Sequence, residues 1–213
     1  MAAILYHDAQ LYDRDLRLFP TNQWLNDAAI NFYFTVAFHD LCGASSDILF
    51  MDPAVVSCMM LQCDDDEDLE DLAQGLQLRE KSLLLVPIND RSTFDSQGSH
   101  WALLVYSATD GFQFYDSSSG HNLDSAVEVA RVLQRAAGLP TADVHHVASS
   151  PQQENAFDCG MYVCMTAEWI AMSFLGIQCE RLDAFLTPTR IHEKRQAMPS
   201  IVRDLNARQT KQS

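Results

Sequence analysis

Basic residues are scarce in this chain: 14 lysines and arginines stand against 29 aspartates and glutamates, a formal net charge of −15. Binding a polyanion needs clustered cations that displace counterions from phosphate, so nucleic acid is not an expected partner. Long apolar runs are missing too. No stretch approaches eighteen consecutive apolar residues, and residues 1–20 carry His7, Asp8, Asp13, Arg14, Asp15 and Arg17 in place of a basic start and an apolar block. Neither export nor membrane insertion is expected. The six cysteines, Cys42, Cys58, Cys63, Cys159, Cys164 and Cys179, show no paired C-x-x-C spacing for zinc or dithiol redox work. A 213-residue chain with 47% hydrophobic residues has core enough to need no disulfide staples. These cysteines read as reduced thiols of a cytoplasmic or nuclear protein, one reactive and most of the rest buried. No linker, repeat or low-complexity segment divides residues 1–213, so a single domain, acting as a monomer, is expected. The densest acidic run, from Asp64 to Asp71, fits a solvated loop or helix face better than a docking patch.

Apolar periodicity predicts an amphipathic helix over residues 21–38, entered through Thr21-Asn22, with Trp24 in its first turn. Asp52-Pro53 is an N-cap followed by proline at the first helical position, opening a short helix to about Leu61. Residues 83–88 are too short and too uniformly apolar for a surface helix and read as a central strand, with Pro87 marking an edge or bulge. A polar loop over residues 89–99 precedes strands at 101–106 and 112–116. A helix from Leu123 to Ala137 ends at Gly138, a short strand falls near 144–147, and a helix runs from Cys159 to about Phe174. The last helical region starts at Thr187-Pro188 and is expected to break at Pro199. Strands in the middle with helices before and after give an α+β domain.

Within this frame Cys159 stands at the mouth of a helix, where unpaired N–H groups and the positive end of the dipole favour thiolate. Taken alone it would be a small buried hydrophobe, as Cys42 and Cys164 are expected to be. His100 opens one strand and Asp116 closes the next. A thiol needs a base to take its proton and the base needs a carboxylate to fix its tautomer, so the three form a nucleophilic constellation. If Tyr106 pairs with Phe112, Asp116 lies opposite Ala102 on the face His100 uses; a two-residue Asp110-Gly111 turn would send it to the other face. Asp158 is read as a structural N-cap whose oxygen is neutralised by first-turn N–H groups, and Gly160 as a place where backbone runs close to substrate. His121 is expected to be exposed and idle, and Trp169 to be core.

The segments Trp24-Leu25-Asn26-Asp27, Pro87-Ile88-Asn89, His100-Trp101, Tyr115-Asp116-Ser117 and Gln153-x-Asn155-x-x-Asp158-Cys159-Gly160 occur in one order over most of the chain. Together they resemble the ubiquitin-like-protein-specific cysteine proteases, also called sentrin-specific or Ulp-type proteases. The resemblance implies a papain-like α+β fold, a small central sheet flanked by helices, in which the cysteine helix packs on the sheet carrying His100 and Asp116. It implies Cys159 as nucleophile, Gln153 as oxyanion-hole donor with the Cys159 amide, and Trp24 and Trp101 as walls of a tunnel that passes only a Gly-Gly tail. Asp27 would hold that tail or the start of its helix, alternatives left open. No metal or organic cofactor is needed.

The expected activity is hydrolysis after the C-terminal Gly-Gly of a ubiquitin-like modifier, from precursors and from conjugates such as cullins. A Nedd/Rub-type modifier is favoured because the chain is short with almost no N-terminal extension, because the loop before His100 is long, and because the acidic charge matches an acidic sumo surface poorly. A sumo-specific protease of the same family is the near alternative. A clan-related acetyltransferase is a more distant one, disfavoured by the two tryptophans, and an inactive modifier-binding module is disfavoured by the complete triad.

Overall fold

The computed structural model describes all residues except Met1, Asp64, Phe94, Asp95, Gln97, Ala142 and Ser213, and all side chains but those and Ala2 and Gln212. The first residue of the acidic run and three positions of the loop before His100 therefore lie outside the described residues. β1 (Ala2–Tyr6) and β2 (Ala9–Tyr12) pair as a ribbon ahead of the short α1 (Asp13–Leu16). α2 spans Asp27–Val36 and is capped by Asn26, whose side chain accepts the Ala29 N–H at 3.0 Å. It starts later than the expected residue 21, and Trp24 lies outside it. The reason is partly local and partly tertiary: Asn22 sits at φ 54, in the left-handed region, and the carbonyls of Leu18, Phe19 and Gln23 accept from Arg195. A π turn, Ala37–Leu41, extends α2 at its far end.

Five strands make the central sheet, in the order β3 (Ile48–Phe50), β4 (Leu83–Asn89), β5 (Trp101–Ser107), β6 (Gly111–Tyr115), β7 (His145–His146). The outer pairs are parallel and the inner pairs antiparallel. Leu83, Leu85, Leu103 and Val105 join one buried cluster, while Leu84, Val86, Leu104 and Phe114 join the other. Both faces are covered, and β4 and β5 are therefore uniformly apolar instead of alternating. Pro87 lies past the end of β3, which reaches only Leu85, so β4 has lost its parallel neighbour there and the missing N–H costs no ladder bond. Tyr106 pairs with Phe112 and Ser107 with Gly111. This is the register that brings Asp116 to the His100 side.

α3 (Pro53–Leu61), α4 (Asp66–Gly75) and α5 (Leu123–Ala137) cover one face of the sheet. Asp52 caps α3 by accepting the Ala54 N–H at 2.7 Å, and Gly138, at φ 63, ends α5 where an L-side chain would be strained. α6 (Cys159–Phe174), α2 and α8 (Pro188–Gln212) cover the other face, with the short α7 (Leu182–Phe185) between α6 and α8. α8 runs straight through Pro199, contrary to the expected break. An interior proline costs about 3 kcal/mol, but each buried aliphatic side chain contributes about 1.5–3 kcal/mol. Ile191, Met198, Val202 and Leu205 form one buried stripe that continues across it. Cys42 and Cys164 are buried among apolar residues, as expected, with burial pushing the Cys42 thiol up to about 11; Cys58, Cys63 and Cys179 are only half-buried. Trp169 is half-buried rather than core, because its indole N–H donates to the Glu180 carbonyl at 2.8 Å.

Candidate active site

The loop before α6 is shaped by Asn155. Its side-chain oxygen accepts the N–H groups of Phe157 (3.1 Å) and Asp158 (3.0 Å), and its amide nitrogen donates to Asp158 Oδ2 at 2.7 Å. The Asp158 carboxylate does not cap α6, contrary to expectation. It pairs instead with Arg195, whose Nε donates to Oδ1 at 2.5 Å. The cap is replaced because a fully buried guanidinium offers a stronger, charged partner than an amide. Gly160 is needed for packing: a Cβ there would come within 2.9 Å of Leu25 Cβ, so it brings α6 against the segment that carries Trp24 rather than against substrate.

Cys159 is buried at the first position of α6, at the edge of a groove of about 660 Å³ that Trp24, Asp27, His100 and Trp101 also line. His100 Nε2 and Asp116 Oδ1 are 2.6 Å apart, and the Cys159 side chain lies close enough to the His100 ring to act on its charge. Because Nε2 faces Asp116, Nδ1 is the ring nitrogen left for the sulfur. Burial alone would lower the pKa of His100, but the Asp116 hydrogen bond, the neighbouring Cys159 side chain and the charges of both raise it to about 9. For Asp116, burial works upward and is outweighed by His100 and by N–H donors from Ser118 (2.8 Å) and Asn122 (3.3 Å), leaving it below the usual carboxylate range.

The base is also held through its backbone. Asp90 accepts the His100 N–H at 3.2 Å and the Ser99 N–H at 2.5 Å, and the His100 carbonyl accepts from the side chains of Asn122 (2.9 Å) and Asn89 (3.2 Å). Gln152 donates to the Asp116 carbonyl at 2.9 Å. His121 is exposed, as expected, and stands edge-on to His100 with ring centroids 5.4 Å apart.

Gln153 is fixed by Ser117, whose hydroxyl donates to the amide oxygen at 2.8 Å, while the amide nitrogen donates to the Asn155 carbonyl at 2.6 Å. An amide nitrogen carries two hydrogens, so one remains to donate elsewhere. A second groove, of about 570 Å³, is lined by Gln153 and Ser117 to Ser119, and it shares Trp24 and His100 with the first. Trp24 is 45% exposed, lines both grooves, and donates its indole N–H to the Ala156 carbonyl. Trp101 is 5% exposed, donates its indole N–H to the Leu25 carbonyl at 2.9 Å, and lines the first groove. Asp27 is the first residue of α2, and its carboxylate pairs with Arg91 on both oxygens, one at 2.9 Å. The Arg91 guanidinium in turn lies 5.6 Å from the Trp101 ring centroid.

The structure thus places His100 and Trp24 on both grooves, Asp27, Trp101 and Cys159 on the first and Gln153 on the second, with Asp116 bonded to His100. A thiol with a paired imidazole, amide donors nearby and a two-ended groove suits acyl transfer through a thioester. Sequence reasoning missed Arg195, Asn122 and Arg91. Only Arg195 left a signal: it interrupts the stripe Ile191, Met198, Val202, Leu205 at a position where the helical spacing demands burial. Among the described residues no group of three or more His, Cys, Asp or Glu side chains could hold a metal ion, and no helix is long and apolar enough to cross a membrane.

Residues 23–184 match the Ulp1 protease family, C-terminal catalytic domain. The chain is 34% identical over 197 residues to sentrin-specific protease 8 of Homo sapiens, covering 89% of this chain and 91% of that protein. It is 33% identical over 172 residues to NEDD8-specific protease 1 of Arabidopsis thaliana, covering 79% and 75%. Its fold resembles the C-terminal Ulp1 protease domain solved in complex with Smt3, the yeast orthologue of SUMO, with a TM-score of 0.73, 16% identity, and coverage of 95% and 86%.

Proposed function

The chain belongs to the Ulp1 protease family and is a cysteine peptidase, and on that premise we propose that it cleaves after the C-terminal Gly-Gly of a NEDD8-type modifier, both in precursors and in conjugates. The observation that carries this reading is the His100–Asp116 hydrogen bond beside Cys159, with His100 and Trp24 lining both grooves. An extended tail fits the larger groove, passes between Trp24 and Trp101 where a side chain would be excluded, and presents its last carbonyl to Cys159. The smaller groove receives the leaving amine.

Cys159 Sγ, its proton passed to His100, attacks the glycine carbonyl carbon, and the oxyanion takes hydrogen bonds from the Cys159 N–H and the free hydrogen of Gln153. Collapse expels the amine, protonated by His100, and leaves a thioester. His100 then takes a proton from water, whose oxygen attacks the thioester to release the modifier acid and restore the thiol. The Arabidopsis relative is by its name NEDD8-specific, which supports this modifier for the present chain, while the SUMO complex resembles it in fold alone. Cullins are the conjugates we propose, and a cytoplasmic or nuclear monomer the working form. Comparison of kcat/KM on NEDD8, ubiquitin and SUMO precursors tests the preference: efficient cleavage of NEDD8 is expected, and equal or greater efficiency on SUMO would overturn the modifier while leaving the peptidase standing.

A further inference from the structure

The carboxylate of Asp158 adjoins Cys159, and at an N-cap it would ordinarily swing onto the first-turn N–H groups. That would place a full negative charge at the positive end of α6, where the thiolate and the oxyanion must be stabilised. In this structure the swing does not occur. Arg195 and Asn155 take one carboxylate oxygen each, at 2.5 and 2.7 Å, and no side-chain cap bond is made.

Arg195 is 0% exposed, an extreme burial for a residue that cannot lose its charge. Its remaining donors go to the carbonyls of Leu18 (3.0 Å), Phe19 (3.2 Å), Gln23 (3.2 Å) and Phe157 (2.7 Å). It therefore joins three segments: α8, the turn leading to Trp24, and the residue pair in front of the nucleophile. It also lies beyond residues 23–184, the part of the chain that matches the family.

We propose that Arg195 is a positioning residue for the peptidase reaction, holding the Asp158 carboxylate away from the N-terminus of α6 so that the helix end serves the Cys159 thiolate and the oxyanion. The proposal rests on Cys159 being the nucleophile. It acts through Asp158, and that distinguishes it from a purely structural pin: once Arg195 is removed, the damage should come from the freed carboxylate.

The test compares wild type, R195Q, D158N and R195Q/D158N on a NEDD8 C-terminal fluorogenic amide, with iodoacetamide alkylation of Cys159 at pH 7 as a second readout. R195Q is expected to lower kcat by about 10²-fold, the scale of one lost oxyanion donor, with KM within about threefold, and to slow alkylation about tenfold. Adding D158N to R195Q should restore at least tenfold in kcat and most of the alkylation rate. A folded R195Q with near-normal kcat, or a double variant no better than R195Q, would overturn the proposal. If R195Q does not fold, R195K takes its place: Lys can still pair with Asp158 but cannot span the carbonyls, so alkylation should stay near the wild-type rate, and a tenfold slowing would overturn the proposal. Labelling of wild type and not C159A by a modifier C-terminal electrophile tests the nucleophile separately, so failure of that reading is distinguishable.

Discussion

Nε2 of His100 lies 2.6 Å from Oδ1 of Asp116 in a setting where the two side chains are 7% and 0% exposed. With water excluded, the carboxylate is the main group opposing the desolvation that would otherwise pull the imidazole pKa down. Asp116→Asn should therefore keep the fold and lower kcat by orders of magnitude, roughly 10³–10⁴-fold by analogy with other orienting carboxylates. The alkaline limb of kcat/KM, expected near pH 9 in the wild type, should move to lower pH, because burial then outweighs the remaining partners of His100. Steady-state kinetics across pH 5–10 check both; an unmoved limb would mean another group sets the imidazole.

The same pair makes stability depend on pH. The folded-state value for His100, about 9, lies above its ordinary 6.5, so the folded protein binds that proton more tightly than the unfolded chain does. The stabilisation is complete below about pH 6.5 and is lost as pH rises through about 9. Asp116, with its pKa depressed, acts at the acid end and is lost only as pH falls below the ordinary carboxylate range. Thermal midpoints at pH 6 and pH 9.5 should fall further in wild type than in Asp116→Asn; equal falls would contradict the linkage.

Gln153→Ala should reduce kcat about 10²–10³-fold, the usual effect of losing one oxyanion donor. Ser117 and Asn155 hold the amide in place before substrate arrives, so the loss should appear in turnover. A change confined to KM would make Gln153 a binding residue.

Trp24 is exposed enough that Trp24→Ala should leave the melting temperature within a few degrees, since little buried surface is lost. Roofing the passage is its proposed task, so kcat/KM on a modifier fusion should fall at least about tenfold through loss of tail alignment. A protein destabilised as much as it is inactivated would mark Trp24 as a packing residue.

Much of this was legible in sequence because local chemistry decided it. Asp52-Pro53 starts α3 by a side-chain cap and a preset φ, Gly138 ends α5 by its positive φ, and the pairing of Tyr106 with Phe112 is the one of two possible registers that puts Asp116 on the His100 side. The start of α2 was misplaced because the residues before Asn26 give their carbonyls to Arg195, some 170 positions later. Pro199 misled for a related reason: a long buried stripe outweighs one missing hydrogen bond. The role of Asp158 was likewise set by tertiary contact, since an aspartate before a helix reads as a cap whenever no partner is visible.

The central claim is that Cys159, served by His100, attacks the last carbonyl of a modifier tail. Reaction with NEDD8 bearing a C-terminal electrophile, followed by peptide mass spectrometry, tests it most directly. The account predicts one covalent adduct, mapped to Cys159 and absent in Cys159→Ala. An adduct on any of Cys42, Cys58, Cys63, Cys164 or Cys179, or undiminished labelling of the Cys159→Ala protein, would contradict it.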